Sequence, residues 1–213
     1  MECSIIIPTY NRKKFENLIS DNINRQDYYN IKEVIILDDG DDDILNLTIK
    51  YPIIYLKNMS RTTIGHKRNL GCSIASSPYI AFMDTDDYYD VNYISHSIFK
   101  LSTTDYEVAG CADMNMYDGV KYYKQRCMFI HMLNEATLIF KKSYWLNNKF
   151  RESNTGEGLH FLEKNCDKII EVKCLMVCFV HGKNTIDKSP WVKEQYESKP
   201  LNYDLEPYLN IFV

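Results

Sequence analysis

The chain has 213 residues, of which 45% are hydrophobic and 25% charged, and its formal net charge is −4. This length is enough for one sizeable α/β core or two small domains. The negative net charge argues against nonspecific binding to nucleic acid or to an anionic membrane surface. The apolar runs are too short to span a bilayer, and the start of the chain lacks the pattern of a signal peptide. The composition therefore predicts a globular protein with no nucleic-acid partner and no transmembrane segment.

Cysteine usage favours a reducing compartment. The seven cysteines are odd in number and have no CxxC spacing, and several lie inside apolar runs. Buried free thiols account for this pattern better than a disulfide framework does. We therefore expect a cytoplasmic location.

Strands and helices alternate through the first half of the sequence. Apolar runs rich in β-branched residues predict strands at residues 3–7, 34–37, 53–56 and 79–83. Apolar residues at helical spacing predict one helix after Phe15, one over residues 66–76, and one after Asp90, which can cap it. This alternation favours a mostly parallel sheet with helices on both faces.

The pattern changes after about residue 105. Strands are predicted at residues 107–112, 121–123, 136–140 and 169–180, and one short helix at 159–165 follows a turn-rich loop. These features predict a smaller, mixed β region in the C-terminal half. Because no repeat or linker divides the chain, we expect a single domain over residues 1–213 with two functional halves.

Three acids follow the predicted strand at 79–83: Asp84, Asp86 and Asp87. Open α/β sheets bind ligands at the edge formed by the carboxyl ends of their strands. Carboxylates this close repel one another unless a cation or hydrogen-bond donors compensate them. Oxygen ligands of this kind suit Mg²⁺ or Mn²⁺, and such an ion often also holds a phosphate. The alternative is a solvated turn, in which Asp is common.

Other polar clusters are predicted to meet the same sheet edge, namely Thr9-Tyr10, Asp38-Asp39 and Lys67-Arg68-Asn69. Four segments follow one another along the chain: SIIIPTYN (4–11), VIILDDG (34–40), KRNLG (67–71) and FMDTDD (82–87). With these segments in this order, the first 90 or so residues resemble the inverting family 2 glycosyltransferases of the GT-A fold. The resemblance implies a Rossmann-like central sheet. It also implies a nucleotide-sugar-binding half over about 1–105 and an acceptor-binding half over about 106–213.

The resemblance assigns donor binding to residues of these segments. Tyr10 would stack on uracil, and Asp39 would accept a hydrogen bond from the uracil N3–H. Arg12 and Arg68 would face the diphosphate as fixed cations, and Asp84 would lie near the ribose. The complete implied donor-binding set is Pro8, Thr9, Tyr10, Arg12, Asp38, Asp39, Arg68, Asp84 and Thr85.

The same resemblance implies a metal site and an acceptor-side base. Asp86 and His181 would bind Mn²⁺ or Mg²⁺, with Asp87 supporting them. The family carries a Glu-Asp pair on the acceptor side, whereas this chain has Glu157 followed by Gly158. Glu157 is the predicted base, because glycines on both sides permit close approach of a substrate and a helix start follows. His160 is the alternative base.

The implied reaction is an inverting transfer of a sugar from a UDP-sugar donor to a hydroxyl of a glycan acceptor. UDP-glucose is a common donor in the family. Similarity to the transferase domains of chlorella-virus proteins that build capsid glycans adds UDP-rhamnose as a candidate, with the host-cell cytoplasm as the location. Two alternatives remain open at this point. One is a phosphohydrolase in which Asp84 attacks phosphate and Asp86 is the acid/base, and the other is an inactive sugar-nucleotide or glycan-binding module.

Overall fold

The chain folds around two β-sheets, and the computed structural model describes residues 1–57, 60–126, 133–163, 166–184, 187–193 and 196–212. The strands are β1 (Cys3–Thr9), β2 (Ile31–Asp38), β3 (Ile53–Lys57), β4 (Tyr79–Phe82), β5 (Asp87–Tyr89), β6 (Val108–Gly110), β7 (Asp113–Tyr117), β8 (Tyr122–Arg126), β9 (Ile139–Lys141), β10 (Ile169–Glu171), β11 (Met176–Phe179) and β12 (Glu197–Ser198). The α-helices are α1 (Glu16–Asn24), α2 (Ile64–Ile74), α3 (Tyr93–Ser102), α4 (Lys142–Asn147) and α5 (Glu157–Glu163).

The larger sheet is mostly parallel. Its strand order is β10-β6-β9-β4-β1-β2-β3, and only β9 runs antiparallel to its neighbours β4 and β6. The smaller sheet has the order β12-β8-β7-β11-β5 and mixes both pairings. The predicted α/β architecture, with a parallel central sheet and a smaller mixed β region, is therefore confirmed.

Alternating side chains of the central strands build two cores, one on each face of the larger sheet. Ile5 and Ile7 face the core that packs against α1 and α3, whereas Ile6 faces the core that packs against α2, α4 and α5. All seven residues of β1 are buried, as expected of a strand covered on both faces. Within the described ranges, no helix is both long and apolar enough to cross a bilayer.

The second half of the chain differs in detail from the sequence prediction. The predicted strand at 169–180 is two strands, β10 and β11, which belong to different sheets. Strands β5 and β7 and helix α4 were not predicted. Asp90 does not cap α3, since that helix begins at Tyr93 after Asn92 and has no side-chain cap. Helix α5 begins at Glu157, two residues before the predicted start, and residues 164 and 165 of that prediction lie outside the described residues.

The chain passes from the larger sheet to the smaller one at the acidic segment. Strand β4 ends at Phe82 in the larger sheet, and β5 begins at Asp87 in the smaller sheet. Strand β5 pairs with β11, whose carboxyl end leads to His181. The crossing therefore brings the Asp84–Asp87 segment to the junction of the two sheets.

Glu33 on β2 ties three parts of the larger sheet together. Its Oε1 accepts hydrogen bonds from Ser4 Oγ on β1 (2.8 Å) and from the N–H and Oγ of Ser76 (2.7 and 2.8 Å) after α2. Burial alone would raise the pKa of Glu33, but these donors outweigh it and hold the pKa below its ordinary value. The carboxylate form of Glu33 therefore stabilises the fold.

We expect Glu33→Gln to lower the free energy of unfolding at pH 7 by about 1–3 kcal/mol, because an amide cannot accept all three bonds at one oxygen as strongly. A depressed carboxyl pKa contributes stability above its unfolded value and loses it as the pH falls. The difference between wild type and variant should therefore shrink below pH 4.5, the ordinary pKa of this group. Urea unfolding measures both effects. Glu2→Gln, at an exposed pair with Lys32, is the control, and equal stability of all three proteins at pH 7 would contradict the role of Glu33.

Candidate active site

Two adjoining cavities open at the carboxyl edge of the larger sheet. The first, here called the Tyr10 cavity, has a volume of about 100 Å³. The second, here called the Glu157 cavity, has a volume of about 170 Å³. Their walls share Ile64, Asp84, Asp86 and Asn154. The acidic segment therefore lies between two compartments and borders both.

The Tyr10 cavity collects most of the predicted donor-binding residues. Its wall includes Pro8, Thr9, Tyr10, Arg12, Asp39, Asp84, Thr85 and Asp86. Three residues without a predicted role, Arg61, Thr62 and Lys67, complete that side. The Arg61 guanidinium lies 3.6 Å from the centre of the Tyr10 ring and covers one face of it.

Asp38 and Asp39 are adjacent but have different surroundings. Asp38 accepts from the hydroxyl of Tyr55 (2.7 Å) and the ammonium of Lys57 (2.9 Å), and it does not line the cavity. Asp39 accepts from Lys67 Nζ at 2.6 Å and from the Thr62 N–H at 2.9 Å. Asp38 therefore fixes the end of β2, whereas Asp39 fixes part of the cavity wall.

Asn11 joins the loops that follow β1 and β2. Its backbone is left-handed, with φ 52°, a conformation that Asn tolerates better than most residues. Its Oδ1 accepts from the N–H groups of Asp41 and Asp42 at 2.7 and 3.3 Å. A Cβ on Gly40 would lie 2.5 Å from the Asn11 nitrogen, so only glycine fits there without displacing the neighbouring loop. This contact fixes the loop that presents Tyr10.

Asp86 lies beside basic side chains. Its Oδ2 is 3.3 Å from Arg12 Nη2 and 3.3 Å from His181 Nε2. Burial opposes ionisation, but His181, Arg12 and Lys188 hold the pKa of Asp86 below its usual range. Asp86 therefore has two basic side chains within 3.3 Å.

His181 lies behind Asp86, outside the walls of both cavities. Its side chain is 3% exposed and packs on the Phe15 ring with 5.1 Å between ring centres. Its Nδ1 accepts from the Lys183 N–H at 3.2 Å, which turns Nε2 toward Asp86. The two residues predicted to bind metal are thus brought together.

The three acids of the motif have different proton affinities. Burial raises the pKa of Asp84, and Asp86 adds to the rise while Arg68 opposes it. Burial raises the pKa of Asp87 to about 7, against the attraction of Lys188 and with repulsion from Asp86 and Asp84. Asp87 Oδ1 accepts from the Phe179 N–H of β11 at 3.3 Å. Asp87 therefore supports the strand that leads to His181.

Arg68 is buried beneath the Glu157 cavity, with 1% of the residue exposed. Its Nη1 donates to Glu157 Oε1 at 2.5 Å, and its Nη2 lies 3.6 Å from Asp84 Oδ1. Although burial lowers the pKa of a cation, the carboxylates of Glu157 and Asp84 outweigh it and raise the pKa of Arg68. The guanidinium does not line the Tyr10 cavity, which argues against the predicted contact with a donor diphosphate.

The residues on the predicted acceptor side separate into two groups. Glu157 is buried and lines the Glu157 cavity, beside Glu135 and Lys188, for which the sequence motifs gave no role. His160 is exposed and lines a different cavity, with Lys149 and Glu163. His160 therefore lies away from the acidic motif, and its role as the alternative base stays a prediction.

The site has part of a donor set for a divalent cation. Asp86 offers an oxygen, and His181 Nε2, 3.3 Å away, could offer a nitrogen after the ring proton moves to Nδ1, which accepts from the Lys183 N–H in this structure; the buried Asp84 Oδ1 has no hydrogen-bond partner. Across the described residues, no group of three or more His, Cys, Asp or Glu is arranged to hold a metal ion. These residues fit an ion such as Mn²⁺ or Mg²⁺ that takes its remaining ligands from substrate phosphate and water.

Comparison with known proteins identifies the family. The model of "Glycosyl transferase family 2" matches residues 4–163. This chain belongs to glycosyl transferase family 2. Because the match covers most of the chain, including the acidic motif, family membership is incompatible with the phosphohydrolase alternative.

The relatives include a UDP-Glc:alpha-D-GlcNAc-diphosphoundecaprenol beta-1,3-glucosyltransferase, WfaP of Escherichia coli. It is 39% identical over 104 residues, which are 47% of this chain and 41% of WfaP. Glycosyltransferase GlyA of Streptococcus pneumoniae is 26% identical over 128 residues, which are 56% of this chain and 18% of GlyA. This family 2 chain thus matches less than half the length of either relative.

A solved structure supports the fold. The crystal structure of residues 1–349 of Staphylococcus aureus TarS in complex with UDP has a TM-score of 0.64 and 20% sequence identity. The alignment covers 85% of this chain and 61% of the TarS chain. The predicted GT-A fold is confirmed by this likeness.

The loop before α5 is packed against the start of α2. The Gly65 N–H donates to the Ser153 carbonyl at 3.1 Å, and the Arg151 N–H donates to the Glu157 carbonyl at 3.2 Å. A Cβ on Gly65 would lie 1.8 Å from the Arg151 carbonyl oxygen. Gly65 therefore allows the contact that holds Glu157 against Arg68.

We expect Gly65→Ala to destabilise the protein by about 1–3 kcal/mol, because the added methyl group must push the 151–157 loop off α2. Without this clash, Ala for Gly within a helix would add stability of about 0.5–1 kcal/mol. Urea unfolding tests whether Gly65→Ala lowers or raises the free energy of unfolding. Gly182→Ala is the control, since a Cβ there has no neighbour within 4 Å. A Gly65→Ala variant at least as stable as wild type would contradict this packing.

Proposed function

We propose that this chain transfers a sugar from a UDP-sugar to a hydroxyl of a glycan acceptor, with inversion at the anomeric carbon and with Mn²⁺ or Mg²⁺ as cofactor. The observation that carries the proposal is the meeting of two cavities at Asp84 and Asp86. A donor in the Tyr10 cavity would end at these acids, and an acceptor in the Glu157 cavity would approach from the other side. Such positioning of two substrates supplies much of the rate of a group transfer.

The chemistry of the Tyr10 cavity suits a uridine diphosphate. Tyr10 offers an aromatic face, and the Asp39 carboxylate, although held by Lys67 and Thr62, has lone pairs left for an imide N–H. Arg12 supplies a cation beside Asp86, where a diphosphate would end. Among the relatives, the name of WfaP specifies UDP-Glc, and TarS has been crystallised with UDP-GlcNAc.

Asp86 and His181 would hold the metal ion together with the diphosphate. When bound, the ion supplies positive charge that stabilises the departing diphosphate. Arg12 would move its contact from Asp86 to a phosphate oxygen, because both are acceptors for the same guanidinium. Asp87 keeps β5 on β11 and so maintains the distance between Asp86 and His181.

The proposal is tested by measuring UDP release from UDP-glucose, UDP-N-acetylglucosamine and UDP-rhamnose with Mn²⁺, first with water as the acceptor. At least one donor should be hydrolysed. Calorimetry should show tighter binding of UDP than of CDP, since cytosine has no N3–H to donate to Asp39. Asp39→Asn should reduce this preference by about 1.5–3 kcal/mol, the value of a hydrogen bond to a charged group. Asp41→Asn, at an exposed acid of the same loop, should keep it.

Two outcomes would count against the proposal. Equal affinity for UDP and CDP in the wild type would contradict the role of Asp39. Binding of UDP with no release from any donor, with or without oligosaccharide acceptors, would favour an inactive binding module.

Metal dependence is a separate prediction. We expect EDTA to abolish UDP release and Mn²⁺ or Mg²⁺ to restore it, because Arg12 alone does not supply the positive charge that a divalent ion would supply to the diphosphate. Asp86→Ala should slow release by on the order of 10²-fold or more. His181→Ala should weaken Mn²⁺-dependent UDP binding. Asp42→Ala, at a partly exposed acid outside both cavities, is the control. Full activity in EDTA would refute the metal site.

A further inference from the structure

Glu135 occupies the space above Gly158 in the Glu157 cavity. A Cβ built on Gly158 would lie 2.4 Å from Glu135 Cγ and 2.8 Å from Glu135 Oε1. Only glycine fits at position 158 unless Glu135 moves. The Glu135 side chain therefore reaches, from a different part of the chain, the place where a residue at 158 would put its own side chain.

The turn that carries Glu135 is fixed against the acidic motif. Glu135 begins a 3₁₀ turn at Glu135–Thr137, and Asn134 Oδ1 accepts from the Ala136 N–H at 3.2 Å. The Tyr89 hydroxyl donates to the Ala136 carbonyl at 3.0 Å and accepts from the Asp84 N–H at 2.8 Å. One tyrosine thus sets the position of Glu135 relative to Asp84.

The two glutamates of the cavity have different partners. Glu157 is bound to the buried guanidinium of Arg68 at 2.5 Å, so a proton placed on Glu157 would break a buried ion pair. Glu135 forms no ion pair with any described residue, and two backbone N–H groups, its own and that of Gly158, favour its carboxylate form. Burial raises the pKa of Glu135, Arg68 opposes the rise and Glu157 adds to it. Proton transfer to Glu135 costs no ion pair, and a raised pKa suits a base.

We propose that Glu135, rather than Glu157, is the general base of the reaction, an inference that rests on the function proposed above. The acceptor oxygen forms a bond to the anomeric carbon of the donor as its proton passes to the Glu135 carboxylate. The bond from the anomeric carbon to the diphosphate oxygen breaks, and its electron pair leaves with UDP. Glu157 keeps its ion pair with Arg68 and holds that guanidinium in place, so the predicted role of Glu157 as the base is replaced by a positioning role.

The first test compares wild type and Glu135→Gln with whichever of the three UDP-sugars the wild type hydrolyses fastest. The amide keeps the size of the side chain but cannot accept a proton at neutral pH. We expect UDP release to fall by about 10²–10⁴-fold, with unchanged Mn²⁺–UDP affinity by calorimetry and an unchanged melting temperature.

The second test moves the carboxylate to the other side of the same space. Gly158→Asp alone should slow UDP release, because its Cβ collides with Glu135. Glu135→Ala removes both the base and the obstruction, so the double variant Glu135→Ala/Gly158→Asp should recover at least tenfold over Glu135→Ala. Glu135→Ala/Gly158→Asn is the matched control, with the same bulk and no basicity, and it should not recover. A purely space-filling role for Glu135 would give equal recovery by Asp and Asn.

The outcomes separate this inference from the function on which it rests. A wild type that releases no UDP from any donor refutes the proposed function and this inference with it. An active wild type whose Glu135→Gln variant keeps more than half the rate refutes only the assignment of Glu135. Equal recovery by the Asp and Asn double variants also refutes it.

Discussion

The buried guanidinium of Arg68 is the contact on which the site depends. It joins Asp84, just after the end of β4, to Glu157 at the start of α5, and it stacks 4.9 Å from the centre of the Phe82 ring. Buried charges such as those of Arg68 and Glu157 are stable only while they compensate one another, because an unpaired buried charge costs several kcal/mol. The position of the acceptor-side loop and that of the acidic motif are therefore set by the same cation. Arg68 therefore has a structural role in the site rather than a ligand-binding one.

The passage of the chain between two sheets gives the acidic motif its properties. A turn at the edge of one sheet would leave Asp84, Asp86 and Asp87 in solvent, where their pKa values would stay near those of free side chains. Here Asp86 meets Arg12 and His181 and is held ionised, whereas burial raises the pKa values of Asp84 and Asp87. The pKa values of neighbouring carboxylates thus differ because each carboxylate has different surroundings.

Much of the Tyr10 cavity could be predicted from sequence because its residues follow strands directly. Tyr10, Asp39 and Asp86 each follow or end an apolar run, and parallel strands bring their carboxyl ends to one edge. The Glu157 cavity could not be predicted in this way. Arg68 and Glu157 are 89 positions apart, and Glu135 and Lys188 belong to no local pattern that marks a site. Glu157 and Gly158 were the signals visible in the sequence, and Gly158 marked a missing side chain without indicating what fills the space.

The sequence by itself determined the α/β class, the parallel orientation of the first strands and the set of polar residues at their ends. These follow from hydrophobic periodicity and chain direction, which are local properties. Only the tertiary structure decided that residues 169–180 divide between two sheets, that Arg68 turns toward Glu157 and away from the Tyr10 cavity, and that Glu135 lies over Gly158. Each of these outcomes depends on contacts between distant segments. Burial and charge compensation in the assembled core select such contacts, and no short stretch of sequence records them.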